Sequence, residues 1–555
     1  MKAYYGQNEL GFDVERDLNY YAVLIRDGVH FPTPQTPLFA SVHLNYCSSA
    51  FQHAAETLSL PGTKGWDWRL IDGYIYLAVV EPKPEEVPER EKLFRERIGP
   101  MIDDPWGHWL KRRDEALALY KPIKEADIEK VSDLELYELF FQMLHVHRRW
   151  MEIHFLYDYG LHEIYHLFEI LCEELAGIKP EDPSFMKLMG GFDNYLFQAE
   201  KATWQIGTRA RELGLVDTFL STEDDEEVMS KLEQSEAGKK WLKEYREFIN
   251  LHGWKRSIVW DWTSPTWIEK PSLGFVEIRK YLAKGGDFVP EVERQRLVKE
   301  REETEREIMA KVPSDQREWF EKLLRATQMS GSWTEEHNYY LDFMGNAVSS
   351  KVIKEIGRRF AKDGVIDDSF DIFMMMPWEI QKALIIRERI DLRPATKARR
   401  EEWEKYCKTE PPPPVLGNME RFGEIAVKDA VIRTVAAPPM VRPELKADLY
   451  GAGSAPGVVE GIARVAMSEA ELKDVQPGEI LVAPFTSAAW TYIFGAISGV
   501  VTDSGGGLVH AVIVGREYGI PAVAGTMEGT KKIKTGDRIR VDGDMNAVYI
   551  VEKAA

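Results

Sequence analysis

The chain has 555 residues, more than one hydrophobic core usually organises, so its length argues against a single small module and predicts two or more domains. It carries 91 acidic and 71 basic residues, and the net charge of -20 argues against a sequence-independent grip on nucleic acid. Three cysteines without a CxxC pair argue against a disulfide framework or a cysteine zinc site and fit a reducing cytoplasm. Because the start is charged and no run of about 18 apolar residues occurs, we expect neither export nor a membrane span.

Residues 1–87 mix aromatic residues with short alternating runs such as "RLIDGYIYLAVV" at 69–80. Alternation of this kind predicts β-strands, and the Asp72-Gly73 pair predicts a tight turn between two of them. We therefore expect a small mixed α/β region at the N-terminus.

Residues 88–408 change to long amphipathic segments rich in Glu, Lys, Arg and Leu, for example "DLELYELFFQMLHVHRRWMEIHFLYDYG" at 133–160. Apolar residues at helical spacing predict helices with one buried face. The central part of the chain is therefore expected to be a mainly helical body.

Residues 409–446 contain "TEPPPPVLGN" and "AAPPMVRPEL". Prolines remove backbone donors and favour extended conformations, which predicts a proline-rich linker that lets two parts move. From 447 to 555 the composition turns to short Gly, Val, Ala and Ile runs that predict strands, with "HAVIVGREYG" as a helix. The fold class predicted for the whole chain is multidomain α+β.

His510 follows the glycine run Gly505, Gly506 and Gly507 and begins the predicted helix at 510–519. Free N–H groups and the positive end of the helix dipole favour a phosphate there and disfavour the imidazolium form. A neutral imidazole can form a covalent intermediate, so His510 is a candidate phosphoryl carrier and the three glycines are candidate phosphate-binding residues. The local pattern also fits a simple helix cap after a glycine turn.

Five sequence motifs follow one another between 449 and 551: "GSAPGVVEGIARV", "PGEILVAPFTSAAWT", "VVTDSGG", "HAVIVGREYGIPAVAGT" and "GDRIRVDGDMNAVYI". In this order they resemble the mobile phosphohistidine domain of the PEP-utilising enzymes, such as phosphoenolpyruvate synthases and pyruvate phosphate dikinases. The resemblance implies a swivelling β/β/α domain and places the phosphorylated histidine at His510. The chain departs from the family at Leu508-Val509, where Thr-Ser or Thr-Cys commonly precedes the histidine.

The first 440 residues do not resemble the ATP-grasp domain that loads such carriers, and they contain no Walker A motif. No pyruvate-handling barrel follows the carrier domain, so we expect no direct pyruvate chemistry on this polypeptide. "LHGWKRSIVWDWTSPTWIEKPS" at 251–272 and "EIGRRFAKDGVIDDSFDIFMMMPWEI" at 355–380 resemble the acceptor-binding region of ATP-dependent phosphotransferases. The length of the chain and the order of its regions resemble the histidine-bearing subunits of phenylphosphate synthases. The segments 26–39 and 65–78 resemble those subunits as well.

That resemblance implies a cytoplasmic phosphotransferase subunit in which phosphate passes from ATP to His510 and then to a phenol-type hydroxyl. It also implies an ATP-grasp partner chain, with ATP and Mg²⁺ bound mainly by that partner, and it leaves room for a further small subunit. We predict no metal ligand within this chain and no nucleic-acid or membrane partner.

Histidines crowd the segment 145–166, where His147 and His154 lie seven residues apart on one helical face with Trp150 between them. Aromatic rings and an imidazole base suit a phenolic acceptor, so these three residues are predicted to bind it, although packed core histidines give the same pattern. Arg69 is a further candidate, either as a phosphate ligand or as a partner of Asp72.

"GSWTEEHNYYLDF" at 331–343 combines acid, imidazole and aromatic rings. Because the acceptor hydroxyl must lose a proton, Glu336 and His337 are the predicted acceptor-side bases, and Tyr340 is a predicted acceptor-binding residue. The competing interpretation is an ordinary helix start with Ser332 or Thr334 as its cap.

Three other functions remain open. "HEIYH" at 162–166 matches the zincin pattern, which would make the body a zinc hydrolase. The acceptor could instead be another hydroxylated small molecule, such as an antibiotic. The chain could also be a non-enzymatic phosphocarrier or regulatory protein that discharges to no small acceptor.

Overall fold

The structure is a computed structural model, mainly helical, and it falls into two compact units. Unit 1 comprises Met1–Glu163, Trp260–Thr263 and Tyr340–Arg433, and unit 2 comprises Ile164–Val259, Ser264–Tyr339 and Thr434–Ala555. No helix among the described residues is long and apolar enough to cross a membrane. The described residues are 21, 23–28, 30–180, 182–222, 224–283, 289–435, 437–487 and 490–554.

The N-terminal third of the chain begins with short strands and continues as helices. Its elements are β1 (Val23–Arg26), α1 (Pro37–Leu58), β2 (Trp66–Ile71), β3 (Tyr74–Val79), α2 (Val87–Arg97), α3 (Gly99–Asp103), α4 (Pro105–Glu125) and α5 (Asp133–Ala176). A run of helices follows: α6 (Pro183–Lys187), α7 (Tyr195–Glu212), α8 (Val216–Leu220), α9 (Asp225–Gln234), α10 (Glu236–His252), α11 (Phe275–Ala283), α12 (Pro290–Lys311), α13 (Arg317–His337), α14 (Met344–Lys362), α15 (Pro377–Ile386) and α16 (Arg393–Cys407). The C-terminal elements are β4 (Val415–Gly417), α17 (Met419–Lys428), α18 (Ala430–Val435), β5 (Leu449–Tyr450), β6 (Gly453–Ala455), β7 (Val458–Val465), β8 (Ile480–Ala483), α19 (Thr491–Phe494), β9 (Gly499–Thr502), α20 (His510–Tyr518), β10 (Ala522–Ala524), α21 (Gly529–Lys532), β11 (Arg538–Asp542) and β12 (Ala547–Glu552).

Unit 1 contains an antiparallel sheet in the order β2-β3-β1-β4. Asp72 and Gly73 join β2 to β3 with φ values of 49° and 81°, the two positive angles that a type I′ hairpin turn requires. The strands and turn predicted for 69–80 are therefore confirmed.

Two helices place the aromatic residues of unit 1. Helix α1 starts with Pro37, whose fixed φ suits a first helical position, and ends at Ser59 in the left-handed conformation. Helix α5 contains the whole predicted segment 133–160, so that helical prediction is confirmed.

The segment predicted as a proline-rich linker carries regular structure between 415 and 435. The carbonyl of Pro414 accepts a hydrogen bond from the Arg26 N–H, and β4 then pairs with β1. Asn418 caps α17, which buries Phe422 and Ile425 at helical spacing. The difference from an extended linker arises because these apolar residues gain more by burial in unit 1 than the nearby prolines lose in backbone donors.

The helices of unit 2 form a core with Trp241 and Tyr245 at its centre, both inaccessible to solvent. Their rings stack at 4.6 Å with an interplanar angle of 16°. Helices α7, α10 and α11 supply much of the remaining core. The prediction of a mainly helical central region is confirmed.

The C-terminal part of unit 2 is a curled sheet in the order β5-β12-β11-β7-β8-β9-β10-β6. Strands β7, β8, β9 and β10 are parallel, and the outer pairs are antiparallel. Since α19 connects β8 to β9 and α20 connects β9 to β10, both helices begin beyond the carboxyl ends of neighbouring parallel strands. The predicted strands and the helix from 510 are confirmed, whereas a separate domain at 447–555 and its swivelling stay predictions.

Candidate functional site

His510 is the first residue of α20, as the glycine-to-helix pattern predicted. The segment that carries it leaves β9 at Thr502, and we call residues 503–509 the carrier loop. The neighbouring strand β8 ends at Ala483 and leads to Thr486, while Thr491 begins α19. The topology of the sheet therefore brings together three polar side chains from two successive connections, Thr486 and Thr491 from the first and His510 from the second.

Both ring nitrogens of His510 make hydrogen bonds with hydroxyl groups. Its Nδ1 lies 2.9 Å from Thr486 Oγ1 and its Nε2 lies 2.9 Å from Thr491 Oγ1. The ring of Phe494 meets the imidazole edge to face at 5.5 Å. Because a hydroxyl can donate or accept, each nitrogen can hold either a proton or a lone pair without losing its partner.

Burial lowers the pKa of His510 to about 3. The positive end of the α20 dipole acts in the same direction, since it disfavours a second positive charge. His510 is therefore neutral at physiological pH and offers a nucleophilic nitrogen lone pair. The hydrogen-bond geometry and the depressed pKa together suit covalent phosphoryl capture.

The glycines of the carrier loop allow close backbone packing. Gly505 has a φ of 134°, a conformation that residues with a side chain rarely adopt. A Cβ on Gly453 would lie 2.2 Å from the carbonyl carbon of Gly506, whereas a Cβ on Gly507 would meet nothing within 4 Å. The phosphate-binding role of Gly505, Gly506 and Gly507 stays a prediction.

Leu508 and Val509 replace the polar residues that commonly precede the phosphorylated histidine, and both are buried. The hydroxyls of Thr486 and Thr491 contact the ring of His510 directly, so the imidazole keeps polar partners despite that replacement. Sequence reasoning missed these two threonines as site residues. The available signal was their place in "PGEILVAPFTSAAWT", one of the motifs that carried the family resemblance.

The last turn of α20 contacts Glu200 of α7 and Gly191, both in unit 2. The Tyr518 hydroxyl donates to Glu200 Oε1 at 2.8 Å, and the Gly191 N–H donates to Glu517 Oε2 at 3.3 Å. Burial raises the pKa of Glu517 to about 7, while the Gly191 N–H and the cation of Arg516 oppose that rise. These contacts hold the helix that starts with His510 against other residues of unit 2.

The predicted bases Glu336 and His337 lie in the last turn of α13. The Tyr195 N–H donates to Glu336 Oε1 at 3.0 Å, and His337 stacks on Trp333 at 4.0 Å with its Nδ1 3.0 Å from the Trp333 carbonyl. The competing interpretation of a helix start at 332–334 is wrong, because α13 runs through Gly331 from Arg317. A catalytic role for the pair remains a prediction.

Glu335, which sequence reasoning did not select, is 2% exposed. Its Oε1 has no hydrogen-bond partner among the described residues. Burial raises the pKa of this carboxyl to about 8, and the nearby Glu517 carboxyl adds to the rise. A carboxyl in this state is a proton reservoir near neutral pH.

In unit 1, the three predicted acceptor-binding residues His147, Trp150 and His154 lie close together. The ring centroids of His147 and Trp150 are 5.0 Å apart, and those of Trp150 and His154 are 6.3 Å apart. Rings from β1–α1 and from the Trp260–Thr263 segment complete the group. We call this group the aromatic cluster; its members are Phe31, Phe39, His43, His147, Trp150, His154, Trp260 and Trp262.

Two residues of α1 extend the aromatic cluster with hydrogen bonds. His43 Nδ1 lies 3.2 Å from His147 Nε2, and His43 Nε2 lies 2.9 Å from Cys47 Sγ. Asp342 Oδ1 lies 3.0 Å from His154 Nδ1. Sequence reasoning missed His43 and Cys47, and their one signal was the i, i+4 spacing that puts them on one helical face.

The other two predicted acceptor-binding residues make different contacts. Arg69 forms a two-pronged ion pair with Asp67, and its roles as a phosphate ligand or as a partner of Asp72 stay predictions. It lies on the opposite face of β2 from Trp68, because side chains alternate along a strand. Tyr340 packs under the guanidinium of Arg113, 5.3 Å from the ring centroid.

The zincin-like pattern holds two separately paired imidazoles. His162 Nε2 lies 3.2 Å from Asp158 Oδ1, and His166 Nδ1 lies 3.3 Å from Glu169 Oε2. Burial raises the pKa of Glu163 to about 8, so this carboxyl is largely protonated at neutral pH. A protonated glutamate is a poor general base, and this weakens the zinc hydrolase interpretation.

Two family models match the chain. Residues 475–546 match the PEP-utilising enzyme mobile domain, and residues 159–335 match the rifampicin phosphotransferase fourth domain. The C-terminal region is therefore similar to the mobile domain of the PEP-utilising enzymes. The family resemblance predicted from the motifs around His510 is confirmed.

Several curated proteins are similar to this chain. An uncharacterized phosphotransferase, YvkC of Bacillus subtilis (strain 168), is 26% identical over 387 residues, which cover 70% of this chain and 45% of that protein. A rifampicin phosphotransferase of Streptomyces sviceus is 27% identical over 342 residues, covering 60% of this chain and 37% of its own. A probable phosphoenolpyruvate synthase of Pyrococcus horikoshii is 42% identical over 106 residues, 19% of this chain and 13% of that protein. The chain spans less than half the length of each of these relatives.

Proposed function

We propose that this chain is the histidine-bearing subunit of an ATP-dependent phosphotransferase, in which His510 carries the phosphoryl group to a hydroxylated small molecule. The observation that carries the proposal is a buried, neutral His510 with a hydroxyl partner on each ring nitrogen, inside a domain that matches the PEP-utilising family. Similarity to phosphotransferases over more than half of the chain supports the same reaction class.

The reaction has two balanced displacements. In the first, a lone pair of the His510 imidazole attacks a phosphorus of the bound nucleotide, the P–N bond forms, and the P–O bond to the nucleotide leaving group breaks. In the second, the acceptor oxygen attacks the same phosphorus, the P–N bond breaks, and the acceptor proton passes to a base. The imidazole returns to its neutral state, ready for another cycle.

We propose a phenolic acceptor, as in the phenylphosphate synthases that the sequence resembles. The aromatic cluster supports this choice, because flat rings and imidazoles bind an aromatic hydroxyl better than a sugar or an aliphatic alcohol. The relatives named rifampicin phosphotransferases support the broader alternative of another hydroxylated small molecule.

ATP and Mg²⁺ are proposed to bind mainly on a separate ATP-grasp chain in the cytoplasm, with a further small subunit as an option. Thr486 and Thr491 hydrogen-bond to the His510 ring, and Phe494 packs against it. Mg²⁺ prefers carboxylate and phosphate oxygens, so this donor set does not fit a resident magnesium ion. The metal would neutralise nucleotide charge during the first displacement, and His510 would supply only the nucleophile.

The test is acid-labile phosphorylation of the full chain. The chain is incubated with Mg-ATP and a candidate ATP-grasp protein from the same organism, and intact mass and acid-labile phosphate are measured on the wild type and His510→Ala. We expect one acid-labile phosphate on the wild type and none on the variant. His53→Ala, which removes an exposed imidazole of α1, is the matched control and should label like the wild type.

A chase with phenol then tests the acceptor. Release of the label as phenylphosphate supports the phenolic acceptor, and release only to other hydroxyl compounds supports the broader alternative. A label that no small acceptor removes would favour a non-enzymatic phosphocarrier. Equal labelling of His510→Ala and wild type would refute His510 as the carrier.

A further inference from the structure

Three side chains of unit 1 form a hydrogen-bonded row that ends inside the aromatic cluster. Cys47 Sγ, His43 Nε2 and Nδ1, and His147 Nε2 follow one another with separations of 2.9 Å and 3.2 Å. Cys47, His43 and His147 are all 0% exposed. The last nitrogen of the row, His147 Nδ1, has no hydrogen-bond partner among the described residues.

Burial keeps every member of this row uncharged. It raises the pKa of the Cys47 thiol well above its ordinary value and lowers the pKa of His43 well below it. It also lowers the pKa of His147 to about 3. Each imidazole therefore carries one ring proton, and each His···His or His···Cys contact needs one donor and one acceptor.

That requirement links the two ends of the row. If the Cys47 thiol donates to His43, then His43 donates to His147, and His147 Nδ1 holds a proton. If His43 instead donates to the sulfur, every bond reverses, and His147 Nδ1 holds a lone pair. In either direction His147 Nδ1 is a polar group that needs an oxygen or nitrogen partner, because an unpaired buried polar group costs about 1–3 kcal/mol.

Other polar groups close to His147 share this condition. The indole nitrogens of Trp150 and Trp260 are buried and have no hydrogen-bond partner among the described residues. The Trp150 ring lies 5.0 Å from His147 and 5.7 Å from Trp260, measured between centroids. A site that binds an apolar ring with one polar atom needs hydrogen-bonding groups among aromatic faces, and this group of residues provides both.

We propose that the aromatic cluster is a binding site for a flat aromatic hydroxyl compound, whose oxygen pairs with His147 Nδ1. Cys47 and His43 are positioning residues, because they fix the His147 ring and set which tautomer it presents. A neutral hydroxyl fits both directions of the row, since it accepts from Nδ1–H or donates to the Nδ1 lone pair. The acceptor role of this ligand rests on the proposed function, whereas its binding does not.

Entry of the ligand requires movement, because the rings of the aromatic cluster already contact one another. The centroids of His43 and Trp260 are 4.6 Å apart, and those of Phe39 and His43 are 4.7 Å apart. We therefore expect a slow binding step, with an observed rate that levels off as ligand concentration rises. Tryptophan fluorescence reports it, since Trp150, Trp260 and Trp262 belong to the cluster.

The experiment measures binding of phenol and of toluene to the unphosphorylated full chain by calorimetry and tryptophan fluorescence. Toluene has the ring without the oxygen. We expect saturable phenol binding that is about tenfold tighter than toluene binding, which corresponds to one hydrogen bond to a buried partner. No saturable phenol binding, or equal affinities for the two compounds, would overturn the proposal without the need for a variant.

Two variants then locate the oxygen. His147→Gln keeps an amide near the Nε2 position, where it can still pair with His43, and removes the group at Nδ1. His147→Asn places its amide near the Nδ1 position. We expect at least a tenfold loss of phenol affinity in the first and less than a threefold loss in the second. Wild-type affinity in a folded His147→Gln chain would contradict the assignment.

A third arm separates this inference from the proposed function. His510→Ala should bind phenol like the wild type, because it alters no residue of unit 1. Phenol binding with no phosphorylation of His510 in the wild type would sink the proposed function and leave the site intact. Phosphorylation of His510 without phenol binding would overturn the proposed binding site and leave His510 as the phosphoryl carrier.

Discussion

The His510 site and the aromatic cluster both bury neutral imidazoles, but they are assembled in opposite ways. The first is built from two successive connections of one sheet, so its residues fall within 484–510 of the sequence. The second draws on residues 31–47, 147–154 and 260–262, which meet only in the folded chain. A site formed by neighbouring loops can be recognised from contiguous sequence motifs. A site formed by distant segments appears in the sequence only as scattered aromatic residues.

The two regions also differ in how they satisfy their imidazoles. His510 has a hydroxyl partner on each ring nitrogen, while His147 has a partner on Nε2 alone among the described residues. The first arrangement is complete before any ligand arrives, and the second is not. This contrast is what the two proposed roles require, a covalent carrier at His510 and a ligand-binding residue at His147.

We expect the largest loss of stability from a substitution at the centre of the aromatic cluster. Trp260→Ala deletes a ring that is 2% exposed and contacts Phe31, His43, Trp150 and His154. We expect a loss of about 3–5 kcal/mol in the free energy of unfolding, measured by urea denaturation.

The matched control is another tryptophan of unit 1. Trp378 is 45% exposed, so Trp378→Ala should change the free energy of unfolding by less than about 0.5 kcal/mol. Equal losses in the two variants would contradict the description of the aromatic cluster as a buried core.

The next effect tests the carrier loop. Gly505→Ala adds a Cβ at a φ of 134°, 2.8 Å from Val509 Cγ2 and 3.1 Å from the Ala524 Cβ. We expect a cost of about 1–3 kcal/mol and a strong loss of His510 phosphorylation, because the loop must shift to relieve the contact. Thermal unfolding and the labelling assay measure the two effects.

Gly507→Ala is the control within the same loop. Its Cβ would meet nothing within 4 Å, and its φ is not in the left-handed region. Because alanine also keeps the backbone N–H through which Gly507 would bind phosphate, the variant should fold and label like the wild type. If both variants lose the label alike, the loss would not come from the conformation of Gly505.

A third prediction uses the raised pKa of Glu335. In the unfolded chain this carboxyl ionises near pH 4.5, whereas burial keeps it protonated to about pH 8 in the folded chain. The wild type therefore loses stability as pH rises from 4.5 to 8, and Glu335→Gln does not share that loss. The full shift would correspond to about 5 kcal/mol, at about 1.4 kcal/mol per pKa unit. Because water penetration and relaxation reduce such penalties at buried sites, we expect the variant to gain on the order of 2 kcal/mol over the wild type across this window.

Chemical denaturation at several pH values measures that gain. Glu233→Gln, an exposed position of α9, should show no such trend. A constant difference between Glu335→Gln and wild type at all pH values would show that the carboxyl ionises alike in both states.

The smallest effect concerns the orientation of His510. Thr486→Val removes the hydroxyl that lies 2.9 Å from Nδ1, and we expect phosphorylation to slow by about five- to tenfold, near 1 kcal/mol. Thr486→Ser should restore the rate because it restores the hydroxyl. Nitrogen-15 NMR shifts of the His510 ring provide a readout of the tautomer that a purely structural role would leave unchanged.

Local patterns explain what the sequence could predict. The Asp72-Gly73 turn, the strands around it and the helix that starts at His510 depend on neighbouring residues, and all three are confirmed. The resemblance of the C-terminal region to the PEP-utilising enzymes also depends on motifs that lie in one stretch of chain.

Long-range contacts explain what the sequence did not show. Nothing local marks Trp260 as a partner of His43, which lies more than two hundred residues earlier in the chain. Likewise, the raised pKa of Glu335 depends on its burial beside Glu517. Prolines dominated the interpretation of 409–446 and obscured the amphipathic helix α17 within it.

The two sites are tested together by measuring two properties on the same three proteins: wild type, His510→Ala and His147→Gln. Acid-labile phosphorylation reports the carrier loop, and phenol binding reports the aromatic cluster. We predict that His510→Ala loses only phosphorylation and that His147→Gln loses only phenol binding. Loss of both properties in a folded His147→Gln chain, or full phosphorylation of His510→Ala, would contradict the division of labour between the two regions.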